Sequence, residues 1–107
     1  MQVYYDNILN SIRSKAKEII PEDAKLILFG SQARKDADNE SDWDLLLLLN
    51  KKDISETDYN KYVWPLVQLG WNLGEYFSVK MYSMEDWNKR ISTPFYNNVE
   101  QEGVLFY

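Results

Sequence analysis

The sequence contains no cysteine and no histidine. Without cysteine there is no disulfide, no thiolate nucleophile and no cysteine zinc site, and without histidine there is no imidazole base or imidazole metal ligand. Enzyme classes that depend on those groups are excluded. Any chemistry must use carboxylates, hydroxyls, lysine, arginine and backbone amides, and the metal ions that suit such oxygen-rich sites are Mg²⁺ and Mn²⁺.

Positive charge and long apolar runs are also scarce. Lys and Arg number 12 against 17 Asp and Glu, a net charge of −5, which argues against extended binding to DNA or RNA because such binding depends on many basic contacts to phosphates. The longest wholly apolar run, Leu45 to Leu49, is far shorter than a membrane span. The N-terminus lacks the charged start and apolar core of a secretory signal. We expect a cytoplasmic protein with no membrane partner.

The residues that are present predict a compact globular α/β domain. Of the 107 residues, 45% are hydrophobic and 15% are aromatic, enough for a core. Five leucines in succession predict a strand buried on both faces. Apolar spacing and capping residues predict helices over 3–20, 55–69, 84–90 and 94–102, and strands over 25–29, 42–49, 75–82 and 104–106. Pro65 predicts a kink or break in the helix that contains it.

Two short motifs are the candidates for chemistry. Gly30-Ser31 ends the first strand, where a glycine lets the backbone approach a ligand and the free amides of a helix start attract anions. Asp42 and Asp44 open the second strand, so they share a face about 6.6 Å apart and can share a metal ion, or two. The alternatives are a plain strand-ending turn and two solvated acidic residues, although acidic residues that open a buried strand are costly unless paired or metal-bound.

The two motifs together resemble a known family. Gly30-Ser31-Gln32-Ala33-Arg34 followed by Ser41-Asp42-Trp43-Asp44-Leu45 resembles the polymerase-β-like nucleotidyltransferases, in particular the minimal nucleotidyltransferases that are often paired with small helical toxin partners. The ending, residues 102–107, is also similar. The resemblance implies one nucleotidyltransferase domain over residues 1–107, with a mixed, mostly antiparallel sheet of about four strands flanked by helices.

The resemblance also implies a site and a reaction. A nucleoside triphosphate, ATP, would bind with Mg²⁺ or Mn²⁺, and its phosphates would contact Gly30, Ser31 and Arg34. Asp42 and Asp44 would be the catalytic metal ligands. AMP would pass to a hydroxyl of a partner protein, since a chain of 107 residues has no second lobe to hold an acceptor. Such transfer is catalysed by positioning and charge neutralisation, which need no histidine. For Arg34, the alternatives are a partner contact and a plain surface residue.

One departure from the family pattern favours a different function. Active members usually carry a third carboxylate on the next strand, where this chain has Lys80. One metal ion is then better supported than two. Lys80 can be an exposed strand residue, a salt-bridge partner of the aspartates or a phosphate ligand. Glu75, an odd number of residues away, should face the other side of the strand. The pattern also often has glycine where this chain has Lys35.

Two alternatives to transfer therefore remain open. A catalytically weakened member of the family would act as an antitoxin or adaptor that binds a protein, for instance a small helical toxin. An acidic protein with coincidental motifs would bind no nucleotide at all. We expect the larger aromatic residues to serve the core or a partner interface rather than to stack on a base; they are Trp64, Trp71, Tyr76, Phe77 and Trp87.

Overall fold

The computed structural model describes residues 2–35 and 41–106. The helices are α1 (Gln2–Ile19), α2 (Gly30–Arg34), α3 (Glu56–Asp58), α4 (Trp64–Asn72), α5 (Met84–Asn88) and α6 (Pro94–Glu102), with a π-helical segment at Tyr59–Val63. The strands are β1 (Lys25–Phe29), β2 (Trp43–Leu49), β3 (Phe77–Ser83) and β4 (Val104–Leu105). None of the helices in residues 2–35 and 41–106 has both the length and the hydrophobicity to cross a membrane.

The four strands form one mixed sheet in the order β3-β2-β1-β4. β1 pairs antiparallel with both β2 and β4, whereas β2 pairs parallel with β3. The predicted fold class, an α/β fold with a mostly antiparallel sheet of about four strands flanked by helices, is confirmed. The candidate motifs lie at the same end of β1 and β2.

The leucine run of β2 is buried on both faces, as its composition predicts. Leu45, Leu47 and Leu49 pack with α1 and α4, whereas Leu46 and Leu48 pack with Trp87 of α5 and Val99 of α6. All five leucines are at most 4% exposed. Side chains of β2 alternate in direction, so Asp44 points to the same side as Leu46 and Leu48.

The chain does not break at Pro65. Ser55 and Asp58 form the predicted capping box, and helical structure continues through the π-helical segment into α4, which ends at Asn72 rather than Leu69. A proline has no N–H to donate, and its ring crowds the carbonyl four residues earlier. A wider π-helical turn ahead of Pro65 accommodates it without ending the helix.

The start of β3 and the length of β4 differ from the prediction. β3 begins at Phe77, because Glu75 instead closes the turn after α4, where its N–H donates to the carbonyl of Gly70 at 2.8 Å. β4 has two residues rather than three. The predicted caps of α5 and α6 are present: Ser83 Oγ accepts from Asp86 N and Thr93 Oγ1 from Tyr96 N.

The predicted aromatic residues divide between core and surface. Phe77 and Trp87 are 1% and 2% exposed, so the core role is right for both. Trp64, Trp71 and Tyr76 are exposed, and the first two contact each other edge to face with ring centroids 5.3 Å apart.

Candidate functional site

The sheet register brings the two motifs together. Phe29, the last residue of β1, pairs with Asp44 of β2. Gly30 follows Phe29 directly, so the turn into α2 lies beside the Asp44 side chain. Residues that are 14 positions apart in the sequence therefore share one end of the sheet.

Gly30 is required by both its conformation and its neighbour. Its φ is +77°, a left-handed conformation that residues with a side chain rarely adopt. A Cβ at this position would also lie 3.3 Å from Cγ of Asp44, and closer still to Oδ2. The Asp44 carboxylate thus lies directly against the backbone of the turn.

Ser31 lies in the first turn of α2. The residue before the helix, Phe29, has no side-chain acceptor for the helix amides, and amides without such a cap attract anions. The end of α2 is also unusual: Lys35 has a φ of 63°, and its N–H donates to the carbonyls of Ser31 and Gln32. This left-handed position explains why a glycine is common there in the family pattern.

Asp44 is half-buried beside three charged groups. Burial raises the pKa of Asp44, the negative charge of Asp42 raises it further, and the positive charges of Lys80 and Arg34 act in the opposite direction. The parallel register pairs Asp44 with Ser78 and Leu46 with Lys80. Lys80 therefore points to the Asp44 side of the sheet, at its exposed surface.

Arg34 connects α2 to the end of α6. Its Nη1 donates to Oε2 of Glu102 at 3.0 Å, and the two side chains are 43% and 33% exposed. The charge of Arg34 also reaches Asp44, where it lowers the pKa. All five predicted site residues therefore lie at this end of the sheet: Gly30, Ser31, Arg34, Asp42 and Asp44. Asp42 is exposed and immediately precedes β2, so it is not on the strand as predicted.

Glu75 lies on the side of the sheet away from Asp44, although it precedes β3 instead of forming part of the strand as predicted. Its Oε1 accepts a hydrogen bond of 2.9 Å from the indole Nε1 of Trp43, and Trp43 points away from Asp44 because neighbouring strand residues face opposite sides. Glu75 also accepts a hydrogen bond from the Tyr4 hydroxyl. It therefore positions Trp43 and is not a third carboxylate of the site.

The residues at this end of the sheet that could hold a divalent ion are Asp42 and Asp44. Within residues 2–35 and 41–106, no group of three Asp, Glu, His or Cys residues is placed to hold a metal. Asp42 and Asp44 still offer the hard oxygen donors that Mg²⁺ and Mn²⁺ prefer. Their mutual repulsion, which raises the pKa of Asp44, is the effect that a bound cation would relieve.

Sequence reasoning missed two residues that hold the site together. Gln32 is 8% exposed, and its Nε2 donates to the carbonyl of Ser41 at 3.3 Å, immediately before Asp42. Tyr5 of α1 donates its hydroxyl to the carbonyl of Gln32 at 2.7 Å. Gln32 was visible as a polar residue inside the first motif. No sequence signal marks Tyr5, because its partner is 27 positions away.

Residues 8–93 match the family described as "Nucleotidyltransferase domain", and this stretch contains both motifs and three of the four strands. The chain belongs to the nucleotidyltransferase domain family. The resemblance that the two motifs indicate is confirmed.

Two relatives of this nucleotidyltransferase domain are informative. It is 32% identical over 99 residues to a protein of Methanocaldococcus jannaschii named "Putative protein adenylyltransferase"; the match covers 92% of this chain and 90% of that protein. It also resembles a chain in a crystal structure described as a toxin-antitoxin with AMP-PNP. That likeness has a TM-score of 0.64 and 21% identity over 92% of this chain and 72% of the other. At this identity the second likeness shows the fold.

Proposed function

We propose that this nucleotidyltransferase domain transfers AMP from ATP to a hydroxyl group of a partner protein. The observation that carries the proposal is the contact between the Gly30 turn and the Asp44 carboxylate. This contact brings an anion-attracting turn and a carboxylate pair to one end of the sheet. The relative named as a protein adenylyltransferase supports AMP as the transferred group and a protein as the acceptor.

Each site residue has a role in this proposal. The backbone at Gly30 and the start of α2 at Ser31 bind the β- and γ-phosphates, and Arg34 adds positive charge from the side of α6. Asp42 and Asp44 hold one Mg²⁺ or Mn²⁺. When bound, this ion offsets the charge of the triphosphate and polarises the α-phosphate.

The transfer itself is a displacement at the α-phosphate. The acceptor oxygen forms a bond to the α-phosphorus, the bond from that phosphorus to the bridging oxygen breaks, and pyrophosphate leaves. The hydroxyl proton passes to a carboxylate of the Asp42–Asp44 pair. Lys80, on the same side of the sheet, stands where active members of the family usually carry a third carboxylate, and its positive charge acts on Asp44. Such reactions depend mainly on positioning and electrostatics, which these groups provide.

The test is transfer of radioactivity from ATP labelled at the α-phosphate to a protein acceptor. We expect wild-type protein, incubated with a lysate or a candidate partner and Mg²⁺, to label a protein band, and Asp44→Asn to lose the label while it keeps the wild-type circular dichroism spectrum. Asp53→Asn, at an exposed position, is the matched control and should label as wild type does. Undiminished labelling by Asp44→Asn would refute the assignment.

A second candidate function is favoured by Lys80. A member that lacks the third carboxylate can keep the fold and act as a protein-binding antitoxin or adaptor. The structural neighbour described as a toxin-antitoxin makes this alternative concrete. If the protein binds a partner, if Asp44→Asn leaves that binding unchanged, and if no AMP is transferred, the adaptor is favoured over the enzyme.

A further inference from the structure

The first turns of α1 lie against the candidate site through Tyr5. Its hydroxyl donates to the Gln32 carbonyl at 2.7 Å. Its ring packs on Trp43, with ring centroids 5.3 Å apart and planes inclined by 35°. The ammonium of Lys35 lies over the same ring, 5.6 Å from its centroid. Tyr5 thus contacts the segment that carries Gly30-Ser31 and also the residue between the two aspartates.

These contacts matter because α2 is short. It has five residues, too few to hold its own orientation without tertiary contacts. Two side chains of α2 hydrogen-bond to other parts of the described chain. Gln32 donates to the Ser41 carbonyl, and Arg34 donates to the Glu102 carboxylate. The Tyr5 hydroxyl adds a hydrogen bond from the 18-residue helix α1 to the backbone of α2 itself.

We propose that Tyr5 is a positioning residue that fixes the glycine-serine turn relative to the Asp42–Asp44 pair. This inference rests on the proposed function of the site. Trp43 is 2% exposed and donates its indole N–H to Glu75. Tyr5 therefore couples α2 to a buried residue of β2, and loss of its hydrogen bond would let the turn shift against Asp44.

The phenol is suited to this role over the physiological pH range. Burial raises the pKa of Tyr5, and the charge of Asp6 raises it further. The hydroxyl therefore stays protonated and remains a donor to the Gln32 carbonyl.

The test compares two neighbouring tyrosines. Tyr5→Phe removes the hydrogen bond to α2 and keeps the ring on Trp43. Tyr4→Phe removes a hydroxyl whose hydrogen bond goes to Glu75 rather than to α2. By calorimetric titration of ATP in the presence of Mg²⁺, we expect Tyr5→Phe to raise Kd about two- to tenfold, the range for one lost hydrogen bond. We expect the Kd of Tyr4→Phe to stay within about twofold of wild type.

A double-mutant cycle separates positioning from loss of stability. If Tyr5 acts through the turn, the effects of Tyr5→Phe and Ser31→Ala on Kd should be less than additive, whereas independent effects would add. Hydrogen exchange of the α2 amides should also quicken in Tyr5→Phe while exchange in α5 stays unchanged.

The outcomes distinguish this inference from the proposed function. Suppose that wild type binds ATP, but the Kd of Tyr5→Phe equals that of Tyr4→Phe, or the effects of Tyr5→Phe and Ser31→Ala on Kd add fully. Either result would overturn the role of Tyr5 and leave the proposed function standing. Wild type that binds no ATP would overturn the proposed function and this inference with it.

Discussion

Replacing Gly30 by alanine should destabilise the fold and weaken nucleotide binding, for two separable reasons. Gly30 has a left-handed φ of +77°, which costs a residue with a Cβ about 1–2 kcal/mol. Alanine recovers about 0.4–1 kcal/mol through the lower entropy of its unfolded chain. The net conformational cost is therefore about 1 kcal/mol.

The second reason is the Asp44 carboxylate. A Cβ on residue 30 would crowd Oδ2 and Cγ of Asp44, and relieving an overpacked contact typically costs about 1–3 kcal/mol. We therefore expect Gly30→Ala to lower the free energy of unfolding by about 2–4 kcal/mol in urea denaturation. Because relief of the contact moves the carboxylate, the Kd for ATP with Mg²⁺ should rise as well.

Gly74 supplies a matched control. Its φ is +74°, yet a Cβ there would have no atom within 4 Å. Gly74→Ala should therefore show only the conformational cost, about 1 kcal/mol, with ATP binding unchanged. The difference between the two variants isolates the contact with Asp44. If the two substitutions cost the same and Gly30→Ala binds ATP normally, the carboxylate does not lie against the turn and the reasoning is refuted.

The remaining predictions concern Lys80 and Asp58. Lys80→Asp should increase the affinity for Mn²⁺, measured by calorimetry, because it adds a carboxylate on the Asp44 side of the sheet; Lys52→Asp, at an exposed position, should not. Equal affinities for both variants would show that Lys80 points away from the pair. Asp58→Asn should lower the free energy of unfolding at pH 7 by about 1–2 kcal/mol, because it removes the negative charge and one of the two oxygens that accept from Lys51 and the Ser55 amide. These same hydrogen bonds lower the pKa of Asp58. Its stabilisation is therefore complete above the ordinary pKa of an aspartate and is lost as pH falls through the lowered one. Wild type and Asp58→Asn should converge in acid, and a constant difference down to about pH 2 would contradict this attribution.

Much of the fold follows from local chemistry. Ser55, Ser83 and Thr93 each cap the start of a helix, as the residues that follow them in the sequence predict. The five leucines of β2 are buried on both faces, which a run without alternation predicts. In each case the deciding interaction lies within a few residues.

What the sequence left open depends on distant contacts. The start of β3 is set by the bonds of Glu75 to Gly70 and Trp43, and the anchor of Arg34 is Glu102, 68 positions away. Tyr5 and Gln32 are ordinary residues until the fold brings α1 and α2 together. The side to which Lys80 points became clear only from the parallel register of β2 and β3.

The most direct test of the proposed site is calorimetric titration of ATP into the protein with Mg²⁺ and with chelator, for wild type and for the Asp42→Asn/Asp44→Asn double variant. A nucleotide site formed by the Gly30 turn and the aspartate pair predicts metal-dependent binding to wild type that the double variant loses. No binding to wild type, or undiminished metal-dependent binding to the double variant, would contradict it.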